Sequence, residues 1–159
     1  MMRLALVYIL PFFSSVIFAD EQKKPNPHQI IQSIFEREEL GDKRCADFLD
    51  EVDKDKIKKK ADFKQFEIYT LCAKENDALE KLAQDAQKKL AGPFVLVARA
   101  YEIAARYFTE SMKKKAECFT LSDDKRRGCF ERAGDIFAKG IEYRNIAFDI
   151  YDHCPKPAK

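Results

Sequence analysis

The sequence predicts an all-α domain behind an export signal. Three observations predict it. Apolar residues recur at helical spacing through most of the chain from His28 to Cys154. Helix-start and helix-stop residues punctuate that pattern at regular intervals. No segment alternates with the period of two that a strand needs, and no hairpin dipeptide stands out. Together they predict about seven helices in antiparallel hairpins, pinned by disulfides as a bundle or a short repeat-like array.

Residues 1–19, MMRLALVYILPFFSSVIFA, have the anatomy of a secretory signal peptide: Arg3, an apolar run LALVYILPFF, and Ala19 before the expected cut. Pro11 and the Ser14–Ser15 pair interrupt the run short of a membrane span, which needs about 20 apolar residues. The mature chain is then expected to be secreted or periplasmic, with no membrane span. The whole chain carries a net charge of only +2. So balanced a surface gives no support to a nucleic-acid partner.

Residues 20–27, DEQKKPNP, read as a flexible linker, and 28–154 as one helical domain. Asn26 and Pro27 form a helix start, and Ile30, Ile31, Ile34 and Phe35 follow at helical spacing until Gly41. A second helix is expected from about Asp42 to Val52, with Cys45 and Phe48 on its stripe. DKDKIKKK, residues 53–60, has almost nothing to bury and reads as a solvated turn. A third helix runs from about Ala61 to Lys74, with Phe66, Tyr69 and Cys72 assigned to one face. Asn76 and Asp77 cap a fourth, carrying Leu79, Leu82, Ala83, Ala86 and Leu90. Gly92 ends it, and Pro93 starts the fifth and longest, which reaches about Cys118. FVLVARAYEIAARYF is apolar on most faces, so this helix is expected to be central. Ser122, Asp123 and Asp124 start a sixth helix that Gly140 breaks. The seventh holds Tyr143, Ile146, Ala147, Ile150 and Tyr151 and ends near Cys154. Residues 155–159 read as a disordered tail.

All five cysteines lie beyond the signal, in an oxidising compartment where cysteines pair. Antiparallel neighbours face each other symmetrically about their turn. Cys45 and Cys72 are centred on DKDKIKKK, and Cys129 and Cys154 are centred beside Gly140. These are the two expected bridges, with Cys118–Cys129 the competing pair. Each of the two expected bridges closes a loop of about 27 residues, worth roughly 3.5 kcal/mol on the chain-entropy model. Cys118 is then the odd thiol, free to link a homodimer. Two stretches echo one another, FEIYTLC at 66–72 and FDIYDHC at 148–154. Both read as second helices that bring a terminal cysteine back to the start of their hairpin.

The stretch from Lys115 to Pro157 resembles a tetratricopeptide-type helix hairpin. Ala133 and Gly134 match its small pair, Phe137 its aromatic, Gly140 its turn glycine, and Ala147 and Tyr151 the pair of its second helix. Cysteines 36 apart at Cys118 and Cys154, with Gly128–Cys129, are similar to secreted Sel-like repeats. The resemblance implies a scaffold that binds other proteins through a concave helical face.

No catalytic, cofactor or metal set emerges. His28 and His153 are the two histidines, and neighbours such as His153 and Cys154 project about 100° apart on a helix. There is no H-E-x-x-H, G-x-S-x-G, phosphate loop or C-x-x-C. The expectation is a non-catalytic domain that binds another protein, with Tyr101, Arg106 and Tyr143 as contact residues because Arg and Tyr are favoured as interface anchors. The alternative is a carrier of a small apolar ligand, lined by some of the 13 Phe and 6 Tyr. A carrier needs a closed cavity, whereas an adaptor needs a packed core and an exposed groove.

Overall fold

A computed structural model describes residues 26–53 and 58–156. The expected signal, most of the linker, the centre of the charged turn and the last three residues lie outside them. Among the described residues the chain is helical, with no strand. The described residues form four helices where about seven were expected: α1 (Pro27–Asp53), α2 (Lys58–Gln87), α3 (Pro93–Cys118) and α4 (Asp123–Asp152). Each of α1, α2 and α4 joins two of the expected helices into one of 27 to 30 residues.

Local chemistry explains each merger. Gly41 was expected to end a helix. Instead α1 continues through it, and Glu75 of α2 binds arginines on either side, Arg37 at 2.6 Å and Arg44 at 3.3 Å. Interhelical contact outweighs the ~1 kcal/mol that a mid-helix glycine costs. Asn76 and Asp77 were expected to cap a new helix. Asn76 Nδ2 instead donates to the Cys72 carbonyl four residues back at 3.0 Å, and Asp77 pairs with Lys81 at 2.7 Å. Both side chains are used inside the helix, so neither terminates it.

Gly140 is the third expected break, and it serves packing. A Cβ built there would lie 2.5 Å from the Phe108 ring. The missing side chain lets α4 close on α3, and Gly140 is buried within a continuous helix. The genuine ends are those with harder signals. Gly92 has φ of 59°, Pro93 opens α3 behind it, and α4 starts after Ser122, whose carbonyl accepts from Lys125 and Arg126.

The helices alternate in direction. α3 lies in the middle, packed along α2 on one side and α4 on the other, with a lighter contact to α1. The apolar FVLVARAYEIAARYF segment therefore supplies the central core, as expected. Its Val97, Ala98, Tyr101, Ala104 and Ala105 are fully buried. Ile31 and Ile34 of α1, Leu79, Ala83 and Ala86 of α2, and Ala147 of α4 close around it. α1 reaches α4 through side chains. Phe35 packs its ring against Phe148 and Tyr151 at 5.1 and 5.2 Å.

One disulfide is as expected and one is corrected. Cys45 is bonded to Cys72, with their Cα atoms 5.5 Å apart, and ties α1 to α2. Cys118 is bonded to Cys129 across the α3–α4 turn. The Cys129–Cys154 bridge cannot form because Cys129 stands near the start of α4 and Cys154 just past its end. The 23 helical steps from Cys129 to Asp152 alone cover about 34 Å. Cys118 is therefore not the odd thiol, and the Cys118-linked homodimer has no free sulfur to use. Cys154 is the free cysteine, and it is buried.

Candidate functional site

The surface feature that stands out is an open apolar groove on α2 and the C-terminal part of α3. It follows one stripe of α2: Phe63, Phe66, Thr70, Ala73, Lys74 and Asp77, at steps of three and four. Lys113, Ala116, Glu117, Phe119 and Thr120 form the facing wall. Three adjoining hollows of about 400, 370 and 360 Å³ all include Phe66. Phe63 is 64% exposed, Leu71 41% and Phe66 37%. Aromatic area left in water along a groove is the signature of a contact surface.

The far wall is held in place. Phe119 stacks on Tyr69 at 5.8 Å and meets Phe130 edge-on at 5.1 Å. The Arg126 guanidinium lies over the same ring at 5.6 Å. Arg126 also reaches both carboxylate oxygens of Asp62, at 3.2 and 3.3 Å, and the carbonyls of Phe119 and Leu121. Next to Phe119, the Cys118–Cys129 bridge fixes the turn. Behind it, Lys115 lies 4.9 Å from the Phe137 ring centre and 5.7 Å from that of Tyr69, and burial lowers its pKa.

The three expected contact residues are scattered. Tyr101 is fully buried and cannot meet a partner. Its hydroxyl donates to Glu38 at 2.8 Å, and burial together with the Glu38 charge raises its pKa. Glu38 also binds Arg144 at 3.5 Å, and burial raises its own pKa against these two stabilising contacts. Arg106 is exposed but engaged by Glu80 at 3.1 Å and Glu102 at 2.7 Å. Tyr143 is half-buried and stacks on Tyr107. These residues hold helices together and form no common surface.

His28 and the free thiol are likewise tied into the fold, whereas His153 is exposed and its ring touches only Asp149 of α4. His28 Nε2 sits 2.8 Å from the Pro155 carbonyl, which can only accept. That nitrogen therefore carries the proton, and in neutral His28 the Nδ1 accepts from the Tyr151 hydroxyl at 3.0 Å. The contact anchors Pro155, the first residue of the segment expected to be disordered. Burial pushes the Cys154 thiol pKa up, which keeps it protonated and unreactive. Among the described residues no group of three or more His, Cys, Asp or Glu could hold a metal ion, and no helix is long and apolar enough to cross a membrane.

Sequence reasoning missed the groove because it assigned Phe66 to the face of Cys72. A step of three covers 300°, so two such steps leave Phe66 about 120° around the helix from Cys72. Cys72 is buried, Tyr69 is half-buried and Phe66 faces water. The usable signal was the Phe63–Phe66 pair, continued at Thr70 and Ala73. Comparison with protein-family models, curated proteins and solved structures gives no match to this chain.

Proposed function

We infer that this is an exported, non-catalytic helical domain that binds another protein through the Phe66 groove. The carrying observation is the contrast between a packed core and an open aromatic groove beside it. A carrier would enclose its ligand between helices, whereas these hollows lie along the outside of α2. Two bridged cysteine pairs accord with the oxidising compartment that the signal-like residues 1–19 imply. The reading keeps the protein-binding class implied by the tetratricopeptide resemblance. It moves the contact from Tyr101, Arg106 and Tyr143 to Phe63, Phe66 and Phe119.

Photo-crosslinking tests it. With p-benzoylphenylalanine in place of Phe66, a discrete protein adduct should form in the native exported fraction. It should disappear when Phe63→Asp is added, and be missing when the probe replaces Ile146, an exposed residue of α4. Equal adducts from both positions would overturn the reading. Lipid adducts alone at position 66 would assign the groove to an apolar-ligand carrier.

A further inference from the structure

We propose that the occupant of the Phe66 groove is an amphipathic helix with acidic residues at one end, lying along α2. This rests on the protein-binding reading above and names the class of partner.

Length and shape come first. The lining residues of α2 run from Asp62 to Asp77. Fifteen helical steps cover about 22 Å, or four turns. A helix of about 15 residues matches that span, and its ridges at steps of three and four pack onto the same spacing in α2.

Backbone chemistry selects a helix over an extended peptide. The walls are α2, the end of α3 and the turn after it, and there is no strand among the described residues. An extended segment that binds through its backbone needs a sheet edge to pair with, and these walls offer none. A helix satisfies its own backbone and needs from the groove only a place for its apolar side chains.

Charge selects the acidic end. Of the three hollows, the one of about 400 Å³ is lined by two acids and two lysines. Both acids are already paired, Asp77 with Lys81 at 2.7 Å and Glu117 with Lys114 at 2.9 Å. Lys74 and Lys113 make no ion pair among the described residues, although the Lys113 charge helps to lower the Asp77 pKa, after the larger effect of Lys81. Glu67 lines the hollow beside Leu71 together with Lys74, and makes no ion pair among the described residues. The Lys74–Lys113 end is therefore positive and open to a carboxylate.

The probe is a displayed library of random 18-residue peptides, selected on the oxidised full chain. Enriched sequences should place apolar residues at i, i+3 or i+4, and i+7, with Asp or Glu concentrated at one end. Phe66→Asp should weaken them about thirtyfold, as for loss of an interface anchor. If Phe66→Asp fails to fold by circular dichroism, Phe63→Asp at the more exposed position replaces it. The Lys74→Glu/Lys113→Glu variant should disfavour acidic peptides about tenfold and enrich basic ones. Phe66-dependent peptides that are extended or basic would overturn the acidic helix while leaving the groove as a protein contact. Phe66-dependent binding to anionic phospholipid vesicles, with no peptide enriched, would overturn it in favour of lipid. Selection indifferent to Phe66 and Phe63 would overturn the groove itself.

Discussion

The two ends of the molecule solve the problem of stability differently. At the end where α3 begins, a broad apolar cluster meets α3 between Phe94 and Ala105 and draws on all four helices. Its one cysteine, Cys154, is a free buried thiol. Towards the other end the second cluster is small: Ile68 and Cys72, with Cys45, Phe48 and Met112 against them. Both disulfides lie in that half, and so does the groove with its exposed Phe63 and Phe66. Where aromatic side chains are turned to the surface, fewer remain for the core, and covalent bridges replace part of what burial would supply. On the proposed reading, a half that is bridged by disulfides and leaves apolar surface open receives a partner with little ordering of its own.

The largest test of this contrast removes cysteines. Replacing Cys45 and Cys72 with alanine should lower unfolding free energy by about 3.5 kcal/mol, and replacing Cys118 and Cys129 by about 3 kcal/mol, from their loop lengths. Cys154→Ala, in the broad core, should cost only about 1 kcal/mol, because that cysteine is a small hydrophobe. Urea denaturation of the three variants orders them. A Cys154 loss equal to the bridge losses would break the comparison.

Two glycines of α4 give a smaller and opposite pair of effects. Gly140→Ala drives a methyl group into the buried Phe108 ring and should destabilise by about 1–3 kcal/mol. Gly134→Ala meets nothing within 4 Å and should stabilise by about 0.5–1 kcal/mol through helix propensity. Thermal melts of both variants separate packing from propensity. On the groove, Phe63→Ser should shift stability by less than about 0.5 kcal/mol, because the ring is mostly in water. A larger loss in its melt would make Phe63 core.

The smallest effects are pH slopes of opposite sign. Burial holds the Glu38 pKa above its ordinary 4.5. Its contribution is therefore fullest below the ordinary glutamate value and is lost as pH rises through Glu38's own higher value. The Arg37 hydrogen bond holds the Glu75 pKa below 4.5. Its contribution is present above the ordinary value and is lost as pH falls through the lower one. Glu38→Gln should remove the first slope and Glu75→Gln the second, in unfolding free energies measured across the acid range.

Much of this was legible in the sequence, and the failures share a cause. The all-α class, the bounds and centrality of α3, and the Cys45–Cys72 bridge followed from periodicity, Gly92–Pro93 punctuation and hairpin symmetry. Gly41, Asn76–Asp77 and Gly140 were read as local breaks, but tertiary contact and back-bonding within the helix kept α1, α2 and α4 continuous. The false turn at Gly140 then carried the disulfide error with it, because it placed Cys129 opposite Cys154. Residue type failed at the site. Tyr101 looks like an anchor and is the centre of the core. The echoed FEIYTLC and FDIYDHC stretches were expected to lay Phe into the core, yet Phe66 and Phe148 are 37% and 40% exposed. Which side of a long helix faces water is decided by its neighbours, and spacing alone does not name them.

Hydrogen exchange on the reduced protein tests the division between the two ends most directly. With both disulfides reduced, amides at residues 66–73 and 112–119 should lose protection by about a hundredfold, from ~3 kcal/mol of lost bridge stability at 1.4 kcal/mol per tenfold. Amides at residues 97–105 should keep most of theirs. Equal loss in both sets, or loss confined to residues 97–105, would contradict the account.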